Sequence, residues 1–143
     1  RRMEGHLDAL LEAGIEESPG YLQHAEFSVA SGYAAMERML EEAPQQPTAV
    51  AAASDLIAIG ALRALRDRGI AVPADVSLFG FDNIPVCSKL VPSLSSVWLD
   101  FYELGEVCGD LLFRQVRRGR TQVERVVLHH NIEFRESLKP LGG

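Results

Sequence analysis

A mainly apolar run spans Thr48 to Ala53, a polar pair follows at Ser54 and Asp55, and apolar positions then recur through Ala58, Ile59, Leu62 and Leu65. The first run suits a strand covered on both faces. The second pattern, with arginines on the opposite side, predicts an amphipathic helix over 55–68 that stops at Gly69. Val76 to Phe81, mainly apolar, predicts a second buried strand, with Asp82 just past its end. Two parallel strands joined by a helix place both strand ends on one rim of the sheet. Open α/β sheets bind their ligands along that rim. Ser54, Asp55 and Asp82 are therefore expected to face a shared cleft.

The same patterning organises the rest of the chain. Leu7, Leu10 and Leu11 predict a helix from the first residues to Gly14. That helix opens with no capping residue or preceding strand, which suggests a cut chain. Tyr21 to Phe27 reads as a short strand, and Gly32 to Glu42 as a helix with Tyr33, Met36, Met39 and Leu40 on one side and Pro44 and Pro47 ending it. Leu94 to Leu99 is a further strand. A fourth helix runs from Tyr102 to Arg117, with Arg118-Gly-Arg120 as its stop, and strands follow at Val123–Leu128 and Asn131–Arg135. Alternating helices and strands predict an α/β fold with a largely parallel sheet.

Composition narrows the function. The chain has 143 residues, 47% hydrophobic and 24% charged, enough for one ordinary core or part of a larger one. Fourteen Lys and Arg against 20 Asp and Glu give a formal charge of −6, which argues against a nucleic-acid surface in this segment. No apolar run approaches the ~20 residues of a membrane helix, and no signal peptide is visible. Cys87 and Cys108 form no C-x-x-C pair and read as buried intracellular thiols. His129 and His130 are adjacent in a predicted strand and point to opposite faces, so no metal site is expected. No nucleophile–base pair stands at a legible spacing, no phosphate-cradling or dinucleotide fingerprint appears, and no cofactor is expected.

Longer motifs carry a family resemblance. Ala53-Ser-Asp-Leu-Ile-Ala-Ile-Gly-Ala-Leu-Arg63 and Val72-Pro-Ala-Asp-Val-Ser-Leu-Phe-Gly-Phe-Asp-Asn83 closely resemble the lactose-repressor family of bacterial transcription regulators. Pro92-Ser-Leu-Ser-Ser-Val97, Phe101-Tyr-Glu-Leu-Gly105, the closing Phe134-Arg-Glu-Ser137 and the opening Arg2-Met-Glu-Gly5 are similar in the same order. The resemblance implies a type I periplasmic-binding-protein-like fold, here a partial domain, with a ligand cleft between two subdomains. It assigns residues 1–100 to the carboxy-terminal effector subdomain. Residues 101–128 would be a segment of the amino-terminal subdomain, and 129–143 a return strand and tail.

The resemblance also implies roles. Asp82 would accept hydrogen bonds from sugar hydroxyls or base N–H groups, Phe27 would stack on the effector, and Arg2 would reach into the cleft. Ser54 stands where relatives often carry Asn, and helix capping competes with ligand contact for both Ser54 and Asp55. Leu99 replaces a polar residue of relatives, so either the effector has an apolar part there or Trp98 covers the site. Tyr33, Met36 and Leu90 would lie on a two-fold homodimer interface. A sugar or polyol is the first expectation for the effector and a nucleobase or nucleoside the second. Operator DNA would be reached only through a helix-turn-helix that this chain does not contain, in the cytoplasm. A periplasmic solute-binding protein for a sugar transporter is the alternative, and a small α/β enzyme the third reading.

Overall fold

The computed structural model describes residues 2–118 and 123–140. Four helices and four strands alternate through most of it: α1 (Arg2–Glu12), α2 (Val29–Glu42), β1 (Ala49–Ala51), α3 (Asp55–Asp67), β2 (Ser77–Phe81), β3 (Ser95–Leu99), α4 (Phe101–Arg118) and β4 (His130–Glu133). A 3-10 turn at Pro85–Lys89 joins β2 to β3. The sheet order is β1-β2-β3-β4. The first three strands are parallel, with Ala51 opposite Phe79 and Phe81 opposite Val97, and β4 returns antiparallel with Asn131 opposite Trp98. The α/β expectation and its largely parallel sheet hold.

The core lies between the sheet and the α2–α3 pair. Met36, Ala58, Leu65, Val76, Leu78, Cys87 and Leu94 are buried together, with Tyr33, Leu62 and Leu90 half-buried against them. Small residues let the two helices touch. A side-chain carbon on Gly60 would run into the Val29 carbonyl and the Tyr33 amide, and one on Gly32 into the backbone of Ile57. Arg68 fastens the far end of the pair by ion pairs to Glu37 (2.6 Å) and Glu41 (3.2 Å).

Caps fix where the helices start. Ser28 accepts from the Ser31 amide, Ser54 from the Ile57 amide, and Asp100 from the amides of Tyr102 and Glu103. Gly69, at φ +73, ends α3 as the sequence predicts, because only glycine takes that backbone without strain.

Two predicted strands are absent. Residues 21–27 run as irregular chain, held by Arg38 donating to the Gln23 side chain and the His24 carbonyl and by Tyr21 donating to the Gln45 carbonyl. A strand needs a neighbour for its main-chain ladder, and among the described residues β1 pairs only with β2 and this segment with no strand. Residues 123–129 are likewise outside any sheet. Of the predicted helix stop Arg118-Gly-Arg120, residues 119 and 120 lie outside the described residues.

The helix α4 stands apart. Leu104, Leu112, Phe113 and Val116 are exposed on it, and its main neighbour is the segment 123–128, with which it lines an open apolar groove. Cys108 sits on this helix and is exposed, contrary to the expectation of two buried thiols; only Cys87 is buried, and both are free. The helix has no partner layer among the described residues to cover that thiol.

Candidate functional site

The parallel strands all end at one rim, and the first turns of α2 and α3 lie beside each other there through the contacts of Gly32 and Gly60. Arg2 crosses this rim. One arm of its guanidinium donates to the Ala53 carbonyl after β1, its centre lies 3.8 Å from the centroid of the Phe81 ring, and the other arm is 3.6 Å from an Asp82 oxygen. One cation thus gathers the ends of β1 and β2. Arg2 and Asp82 both keep solvent access, with side chains 44% and 29% exposed. Partial burial pushes the Asp82 carboxyl above its ordinary range and nearby Asp55 adds to this, while Arg2 pulls the other way. The result is a fixed donor beside a fixed acceptor in a partly dry setting, an arrangement suited to a polyhydroxylated ligand.

Ser54 and Asp55 do not open onto this rim. Ser54 is 2% exposed and its hydroxyl is the α3 cap. Asp55 is fully buried: Oδ1 accepts from Ser96 Oγ at 2.7 Å and Oδ2 from the Ile84 amide at 2.8 Å. Burial first, then the neighbouring Asp55 carboxylate, pushes the Cys87 thiol up to about 12, so it stays protonated. Asp55 holds the turn after β2 from beneath. Its place directly after the cap turns its carboxylate under the sheet rather than out to solvent.

The other expected residues are spread along the rim and helices. Phe27 is 66% exposed on the bend that leads into the Ser28 cap. Trp98 and Leu99 are half-buried near the end of β3. Tyr33 is half-buried under Arg63, whose guanidinium lies 5.7 Å from the ring centroid, and Leu90 is half-buried past the 3-10 turn. Met36 is 2% exposed and belongs to the core, so it offers no surface to a partner chain. His129 and His130 are exposed, and no group of three or more His, Cys, Asp or Glu that could hold a metal occurs among the described residues.

Five residues that build the site escape the sequence reading. Phe81 supplies the ring under Arg2. Ser96 carries the hydroxyl that links Asp55 to the Asn83 amide. Asn83 and Arg135 join side chain to side chain at 2.7 Å. Gly80 had a legible signal: a lone glycine inside a strand marks close approach of another group, and a side-chain carbon there would overlap Asp55 Oδ1.

The periplasmic binding protein-like domain matches residues 1–138. Among relatives, the chain is 34% identical over 139 residues to catabolite control protein A of Priestia megaterium, covering 97% of this chain and 42% of that protein. It is 31% identical over 140 residues to the ribose operon repressor of Haemophilus influenzae, covering 98% and 42%. Among solved structures, the complex of the transcriptional regulator CelR with cellobiose superimposes with a TM-score of 0.89 at 37% identity, over 95% of this chain and 41% of that one. The chain belongs to the LacI family, within its periplasmic binding protein-like domain. It spans about two fifths of the length of the curated relatives it matches. A LacI-family α/β domain with its strand ends gathered by Arg2 is thus the frame for any functional reading.

Proposed function

We propose that this chain is the effector-binding and dimerising part of a bacterial transcription regulator, and that its effector is a sugar or related polyol. The juxtaposition of Arg2, Phe81 and Asp82 carries the reading. Asp82 accepts from ligand hydroxyls, Arg2 donates to ligand oxygens, and the exposed ring of Phe27 offers an apolar face at the same end of the helix pair. Trp98 lies at the end of β3 as a further wall. The relatives named as repressors favour a sensor over a transport protein, and no catalytic role is assigned.

Residues 1–100 form the carboxy-terminal effector subdomain in this reading, 101–128 a segment of the amino-terminal one, and 129–143 the return strand and tail. The exposed apolar side of α4 supports that division. Tyr33 and Leu90 belong to a two-fold contact with a second copy. Operator DNA is bound by a helix-turn-helix outside this chain, in the cytoplasm. Effector binding between subdomains favours one closure angle, and by linkage DNA and effector change each other's affinity by the same factor.

The test is calorimetry on the regulator that carries this chain, with cellobiose and ribose as probes. Asp82→Ala weakens sugar binding by about 1–3 kcal/mol, because polar groups of a buried ligand lose their acceptor. Unchanged affinity would remove Asp82 from the site.

A further inference from the structure

The turn that carries Asp82 is unusual in its backbone. Asp82 and Asn83 are consecutive non-glycine residues with φ of 105° and 50°. L-residues avoid this region, and strained backbone persists only where its surroundings over-determine it. Here the surroundings do so at every amide: Asp82 N–H donates to the Val97 carbonyl (3.0 Å), Asn83 N–H to Ser96 Oγ (3.1 Å) and Ile84 N–H to Asp55 Oδ2 (2.8 Å).

A fourth bond comes from far along the chain. Arg135 Nη2 donates to Asn83 Oδ1 at 2.7 Å, Nη1 donates to the Leu94 carbonyl at 2.6 Å, and the Arg135 amide donates to Ser95 Oγ at 2.7 Å. Arg135 is therefore fixed by its main chain to Ser95 of β3 and by its side chain to Leu94 just before it, and grips the turn with Nη2. It lies two residues beyond β4, the strand by which the chain returns to the sheet. The Asn83 amide faces this guanidinium while the carboxylate of its neighbour faces Arg2.

We propose that Asn83 and Arg135 are positioning residues for the Asp82 carboxylate, locking its turn in the left-handed conformation that presents it to an effector. This rests on the reading of Asp82 as an effector contact. It adds a specific link: the return strand and the ligand-binding turn move as one body, because Arg135 belongs to the first and holds the second.

The experiment uses the regulator that carries this chain. Asn83→Gly keeps the backbone angle at no steric cost and removes only the acceptor; Asn83→Asp keeps both; Arg135→Met removes the donor. Native-state amide exchange at residues 83 and 84 is expected to quicken by about tenfold or more in Asn83→Gly and Arg135→Met, with Leu78 and Val97 unchanged and Asn83→Asp like the parent. This arm needs no ligand. Parent-like protection in Asn83→Gly overturns the proposal. In calorimetry with cellobiose, Asn83→Gly is expected to weaken binding about tenfold, and to add nothing once Asp82→Ala is present. Loss on Asp82→Ala with none on Asn83→Gly overturns the positioning role alone. No loss on Asp82→Ala overturns the effector reading, while the exchange arm still decides whether the link holds the turn.

Discussion

Asp55 and Ser96, 41 residues apart, meet at 2.7 Å with both side chains buried. Ser96 Oγ donates to the carboxylate and accepts from the Asn83 amide, so one hydroxyl carries the constraint from α3 to the cleft turn. Asp55→Ala strands the Ile84 amide and leaves the Ser96 hydroxyl only the long 3.4 Å contact to the Val97 carbonyl to donate to. The expected cost is about 1–3 kcal/mol for the stranded amide, read as a lower urea midpoint at unchanged slope. Gly80→Ala is expected to do the same damage by displacing the carboxylate. The double variant should then lose clearly less than the sum of the two. Full additivity would show that Gly80 does not act through Asp55.

The helix pair gives a steric prediction. Gly60→Ala places a methyl against the Val29 carbonyl and Tyr33 amide, both main-chain atoms that move only if α2 moves. Overpacking of this kind costs about 1–3 kcal/mol. Thermal denaturation should show a lower midpoint, and a parent-like midpoint would mean that the helices cross further apart.

Glu136 gives a pH dependence. Its carboxylate accepts from the Ser93 amide (2.9 Å) and hydroxyl (3.0 Å), and these bonds, the amide first, hold its pKa below the ordinary 4.5. The folded state thus keeps Glu136 charged where the unfolded chain has begun to take up a proton. Its contribution is fully present above the ordinary carboxylate value. It fades as pH falls through 4.5 and is lost below the lowered folded value. Glu136→Gln should flatten that part of the stability–pH curve relative to the parent. An identical acid limb in both proteins would exclude the linkage.

The open side of α4 predicts association. Leu112, Phe113 and Val116 are each more than half exposed on one short stretch, and a patch of that kind drives burial against another surface. The 143-residue chain by itself is expected to self-associate through this helix. Sedimentation velocity should show a shift toward monomer for Leu112→Glu with Val116→Glu. An assembly of unchanged size would place the contact elsewhere.

Much of this fold is legible in the pattern of residues, for reasons that are local. Mainly apolar runs at 48–53 and 76–81 suffice for parallel strands, although β1 lies at the sheet edge with Ala49 and Ala51 exposed and is not covered on both faces as its pattern predicts, and Ser54 announces the α3 start through its own backbone bond. Residues 21–27 mislead because a strand is a property of two segments, and sequence shows only one. The candidate site divides in the same way. Asp82 is readable as the polar residue at a strand end, and Arg2 through the family motif. Ser96, Asn83 and Arg135 are ordinary in sequence, and their importance arises from long-range closure across 13 to 52 positions. Asp55 shows the limit most plainly. It adjoins the cap, and nothing local tells whether a carboxylate there turns outward or under the sheet.

Ser137 closes the innermost main-chain bonds of the sheet. Its hydroxyl accepts from the Ser95 amide and donates to the Leu78 carbonyl, and its main chain pairs with the Leu78 amide and the Ser93 carbonyl. These residues, in β2 and at the start of β3, are synthesised dozens of positions earlier, before the chain makes its excursion through α4. While the ribosome is still building that excursion, buried polar groups at the heart of the sheet have no partner. The half of the sheet that looks most central therefore cannot settle as it emerges, and waits for a serine made 42 positions after Ser95.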